Sequence, residues 1–120
     1  MWYDNERINK KFRLYLKQSN TMVELNNLNE INLYSNTENV LLQYINLFDK
    51  TNKEICEGDI IKLNNELYVL TYWLGSFSMT SFDINCINHW TFSDFDSDEH
   101  SEFLIIGNVF QNKELIGERK

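Results

Sequence analysis

Polar and apolar residues alternate through Lys10-Lys11-Phe12-Arg13-Leu14-Tyr15-Leu16. A period of two marks a half-buried strand and puts Phe12, Leu14 and Leu16 on one face. Ser19-Asn20 supplies a turn, and Thr21-Met22-Val23-Glu24-Leu25 predicts the returning arm of a hairpin. Residues 26–39 carry Leu28, Ile31 and Leu33 and read equally as a strand or an irregular linker. Residues 40–45 are an apolar run of strand length, followed by turns at 49–53 and at Glu57-Gly58-Asp59. Ile60-Ile61-Lys62-Leu63 predicts a strand. Asn64-Asn65 predicts a hairpin turn, because asparagine tolerates the left-handed backbone such turns need. The arm returning from it, residues 67–73, is broken at Gly75-Ser76 and resumes over residues 77–82. Residues 91–101 form a polar, acidic loop with aromatic insertions, and Phe103-Leu104-Ile105-Ile106 reads as a strand ended by Gly107. Val109-Phe110 is a short extended piece, and residues 113–116 one helical turn. Short strands with closely spaced turn signals predict a mainly all-β protein, a small barrel or sandwich.

Composition agrees with that class. A chain of 120 residues, 42% hydrophobic, is long enough to bury a core without a metal or disulfide staple. It lacks alanine and proline and is rich in β-branched and aromatic residues, which disfavours long helices and favours strands. No run of apolar residues reaches membrane-spanning length, and the N-terminus lacks the regions of a signal peptide, so a cytoplasmic location is expected.

Charge changes the picture more. Of the net −7, residues 1–62 hold nine acids and eight bases, whereas residues 63–112 hold seven acids and no Lys or Arg. The acids of that block are Glu66, Asp83, Asp94, Asp96, Asp98, Glu99 and Glu102, and it also contains ten aromatic residues. Such a surface repels phosphate backbones and suits a basic partner, although an acidic face can also serve solubility alone. Trp73, Asp83, Trp90, Asp94, Phe95, Asp96, Asp98 and Glu99 are therefore the candidate partner-binding residues. The opposite chemistry lies near the N-terminus. There Arg7, Lys10, Lys11, Arg13 and Lys17 cluster, and Lys11, Arg13 and Lys17 with Tyr15 form the candidate nucleic-acid face of the first strand.

Catalytic and metal motifs are weak. Asp94-Phe95-Asp96-Ser97-Asp98-Glu99-His100 resembles the start of a calcium loop, but Glu99 stands where glycine is needed and Ile105 where glutamate is needed. Cys86, His89, His100, Asp94 and Asp98 match no zinc spacing, and Cys86 with His89 makes a poor catalytic pair. Cys56 and Cys86 read as small, partly buried thiols. Glu57-Gly58-Asp59 reads as turn chemistry, with Asp59 bonding the backbone. No metal, no cofactor and no enzymatic activity are expected.

Three blocks resemble the YopX family of phage and prophage proteins. They are Lys11-Phe12-Arg13, residues 43–61 (QYINLFDKTNKEICEGDII) and residues 105–115 (IIGNVFQNKEL). The family usually has glycine where Asn46 and Asn52 stand, and an aromatic where Cys56 stands. Asparagine is the next-best residue for a left-handed turn, so those turns are expected to survive. The resemblance implies an N-terminal β-hairpin region, residues 1–39, and an SH3-like barrel, residues 40–120, together one compact unit. It implies a phage or prophage origin and supplies no catalytic residues. The reading that follows is a non-catalytic accessory protein acting on a host or defence protein with a basic surface, such as a CRISPR effector nuclease. The alternatives are a small nucleic-acid-binding protein using Lys11, Arg13 and Lys17, or a structural homo-oligomer.

Overall fold

The alternation at the start of the chain folds as β1 (Phe12–Leu16), hairpinned onto β2 (Thr21–Leu25) with Leu14 opposite Val23. The structure, a computed structural model, describes residues 11–25, 38–82 and 87–117. The stretch left open between strand and linker falls largely outside these residues. On its other side β1 pairs with the long β3 (Val40–Phe48), which pairs in turn with the short β4 (Glu54–Cys56). This gives a four-stranded antiparallel sheet, β2-β1-β3-β4. The expected boundary at residue 39 thus falls inside a hydrogen-bonded sheet, because β3 and β4 complete it.

A second sheet has the order β8-β7-β6-β5-β9. Its strands are β5 (Asp59–Leu63), β6 (Glu66–Trp73), β7 (Ser76–Phe82), β8 (Ile87–Trp90) and β9 (Leu104–Asn108). Three tight connections build it. Asn64 and Asn65 both take positive φ, 51° and 68°, which gives the turn between β5 and β6 the twist that flanking strands require. Leu74 and Gly75 do the same between β6 and β7, at 48° and 86°. The chain reaches Asp59 through Gly58, whose φ is +90°. One of the two sheets curves as a half-barrel, and the end strands of this one, β8 and β9, are not paired with each other. The molecule is nearly all β, as the short strands predict.

The main core lies on one face of this sheet. Ile55, Ile61, Leu63, Tyr68, Leu70, Met79 and Phe103 bury together there. The acidic loop closes the core from outside: a 3-10 turn at Phe92–Asp94 and one helical turn, α1 (Ser97–His100), pack Phe92 and Phe95 against it. A smaller cluster of Tyr15, Leu42 and Cys56, with Phe110 against it, fills the space beside β1.

β1 departs from simple alternation. Arg13, Leu14 and Tyr15 are all buried, because β1 is an inner strand covered on both faces. The polar face that the sequence assigns to solvent is the one that meets the second sheet.

Candidate functional site

The family-like blocks converge on the joint between the sheets. Arg13 donates from Nη2 to Asp59 Oδ1 at 2.6 Å, and the Cys56 N–H donates to Asp59 Oδ2 at 2.8 Å. Arg13 and Asp59 are 6% and 1% exposed, so both charges have left water. Burial pushes the Asp59 carboxyl above its usual range, against the pull of Arg13 and the Cys56 N–H. Burial alone would lower the Arg13 pKa; Asp59 beside it outweighs that and raises it. Arg13 is therefore a structural cation, and its expected role in contacting nucleic acid is corrected by its burial. Of its companions, Lys11 is exposed and 3.6 Å from Glu54, and Lys17 is exposed in the hairpin turn.

A second buried carboxylate anchors the turn after β3. Asp49 Oδ1 accepts from Thr51 N, Thr51 Oγ and Lys53 N, and its Oδ2 accepts from the Ile105 N–H of β9 at 2.9 Å. Burial works to raise its pKa, but the donors from Ile105, Lys53 and Thr51 win and hold it below the ordinary carboxylate value. A third knot follows β9. The Asn108 side-chain oxygen accepts from Phe110 N and Gln111 N, and Phe110 stacks on Tyr15 with ring centroids 4.9 Å apart. Asn46 and Asn52, standing where glycine is usual, take φ of 61° and 69°. In these blocks the polar residues do folding work, and Asp59 bonds the backbone of its own turn as expected.

The expected partner-binding residues divide. Trp73 and Trp90 are exposed near one end of the second sheet. The Trp73 ring stacks on His89 at 4.2 Å and 6°, and Trp90 Nε1 donates to Ser81 Oγ. A row of side chains leads beneath the stack, Thr71 Oγ to Thr80 Oγ to His89 Nδ1, at 2.6 and 2.8 Å. Phe95 instead turns inward, edge-on to Tyr68 and Phe103. Asp94 accepts from Thr91 N, and Asp96 and Glu99 form a reciprocal capping box at the start of α1. Those carboxylates shape the loop, while Asp94, Asp96 and Asp98 remain exposed on it. Asp83 and Cys86 lie outside the described residues. Sequence reasoning missed Tyr72 and Leu74, exposed at 58% and 87%. The signal available was a Leu-Gly pair between two strands, which lacks the usual Asn-Gly signature.

Among the described residues, no group of three or more His, Cys, Asp or Glu side chains could hold a metal ion. His100 is instead bonded to the Phe92 carbonyl and packed on Phe95 and Phe103. No helix among these residues is long and apolar enough to cross a membrane.

The sequence matches the model of the YopX protein family over residues 1–117. The chain belongs to the YopX family. Its fold is similar to that of a solved structure, protein EF1440 from Enterococcus faecalis, at 19% identity and a TM-score of 0.51. The match covers 89% of the YopX-family chain and 97% of the other. No curated protein matches the sequence. The blocks that carry the YopX resemblance are those that form the joint, so family membership here is written in folding residues.

Proposed function

We propose that this protein is a non-catalytic, protein-binding accessory protein of phage or prophage origin. In this reading it acts inside the bacterial cell on a host protein with a basic surface. A defence nuclease such as a CRISPR effector is the concrete case, because its nucleic-acid groove must be positive to hold phosphates, and an acidic surface can occupy that groove.

One observation carries the reading. Of seven large apolar residues exposed among the described residues, five (Tyr72, Trp73, Leu74, Ile87 and Trp90) lie on the β6–β7 tip and β8. The acidic loop 91–102 continues directly from Trp90. Aromatic anchors beside the exposed Asp94, Asp96 and Asp98 suit recognition of a protein, the anchors supplying affinity and the charge supplying approach rate. The nucleic-acid alternative is weakened by the loss of Arg13 to the interior.

The test is capture by the tagged chain from host lysate at low and physiological salt, followed by binding of the purified captured protein. Trp73→Ala with Trp90→Ala should reduce that binding by roughly tenfold or more. Recovery of no protein at either salt, together with a gel shift on DNA or RNA abolished by Lys11→Ala with Lys17→Ala, would sink it.

A further inference from the structure

Backbone strain separates the β6–β7 tip from every other turn described. Six residues other than glycine take positive φ among the described residues, and five of them are asparagine: Asn20, Asn46, Asn52, Asn64 and Asn65. Asparagine adopts that backbone readily because its short polar side chain bonds locally. The sixth is Leu74, at 48°, and it is also the most exposed large apolar side chain, at 87%. A chain that places asparagine at five such exposed positions has leucine at the sixth, where its side chain stands in water. Folding gains nothing from that choice, since the side chain covers little and the backbone resists it. Strain retained without a folding benefit points to function.

We infer that the tip is an apolar knob: Leu74, with Tyr72 and Trp73 behind it, enters a pocket on a partner protein, and Lys and Arg side chains rim that pocket. Strand alternation sends Tyr72 and Trp73 to opposite faces of the hairpin, so an aromatic ring stands on each face behind Leu74. Tyr72 packs edge-on to Phe77 at 5.2 Å and Trp73 stacks on His89, which makes the base of the knob rigid. A preorganised hairpin loses little freedom on insertion. Charge selects the occupant. The loop carrying Asp94, Asp96 and Asp98 begins two residues beyond His89, and residues 63–112 hold no Lys or Arg. A second copy would bring the same acids against the first, so a partner with a basic rim is favoured over self-association.

This inference rests on the protein-binding reading, and its test separates the two. The full chain is made with the photo-crosslinking residue p-benzoyl-phenylalanine at position 74, or at position 64 on the β5–β6 turn, and irradiated in host lysate. The protein joined at position 74 is identified, purified and titrated against wild type and Leu74→Asn. The expected result is an adduct from position 74 and none from 64. Leu74→Asn should bind roughly tenfold more weakly or worse, yet melt at a higher temperature because the turn is relaxed. An adduct with a second copy, no adduct at position 74, or unchanged affinity of Leu74→Asn overturns the knob. Where the tagged wild type still captures a protein whose affinity ignores Leu74, the protein-binding reading stands and the knob alone falls. Where it captures none, both fall.

Discussion

The guanidinium of Arg13 and the carboxylate of Asp59 meet at 2.6 Å, joining the central strand of one sheet to the first strand of the other. Each is the other's reason for being buried. Removing one leaves an uncompensated charge in the interior, which costs far more than the intact pair contributes. Arg13→Ala should therefore destabilise the protein by about 3–5 kcal/mol at neutral pH, measured by urea denaturation. Its deficit should shrink on acidification. Without Arg13, the folded pKa of Asp59 rises further above its unfolded value, near about 4, so protonation relieves the cost as pH falls. A deficit that is equal at neutral and acid pH would show that Asp59 is not left charged.

Asp49 predicts a deficit that also narrows in acid, from a pKa displaced the other way. Its folded pKa is held below the ordinary carboxylate value by the donors from Ile105, Lys53 and Thr51 acting against burial. Its contribution is complete above the unfolded pKa, near about 4, and is lost as pH falls through the folded value. Asp49→Asn should cost about 1–3 kcal/mol at pH 7 and approach wild type in acid, read from urea midpoints across pH. A mutant deficit that does not narrow in acid would contradict this account.

Gly58 has no substitute. A Cβ there would stand 2.8 Å from the Phe110 ring, and its φ of +90° is strained for any L side chain. Gly58→Ala should cost about 2–4 kcal/mol, from backbone strain together with displaced packing. Smaller loss in a Gly58→Ala, Phe110→Leu double mutant than the single costs add to would locate the clash at that ring.

Cys56 is fully buried, and burial, opposed by Arg13 nearby, pushes its thiol pKa up to about 12. A neutral, enclosed thiol is inert. In a Cys86→Ser chain, a thiol reagent at pH 8 should modify Cys56 only as fast as the protein opens, with the rate rising in urea. Rapid modification of the native protein would contradict the burial of Cys56.

Much of the fold is legible in the sequence, and the reasons are local. Asn64-Asn65 announces its hairpin because few residues accept two successive left-handed positions. Alternation in residues 12–16 marks β1 correctly, yet it assigns Arg13 to solvent. Period-two patterning reports which residues share a face and not which face is covered, and here the partner is Asp59, 46 positions away. Phe95 misleads for a related reason. Surrounded by acids it reads as exposed, whereas the capping box at Asp96 and Glu99 turns the loop so that it packs on Tyr68. Leu74 is harder to read, because its Leu-Gly turn lacks the Asn-Gly signature and exposure of a single apolar residue leaves no periodicity.

The residues that lock the sheets together, Arg13, Asp49, Asp59, Asn108 and Phe110, make their contacts away from the β6–β7 turn. Replacing the side chains of that turn leaves each of those contacts in place. The molecule is in this sense a handle with an interchangeable bit: the exposed Leu74 side chain can vary without touching the contacts that hold the sheets, while the same freedom is denied to the joint.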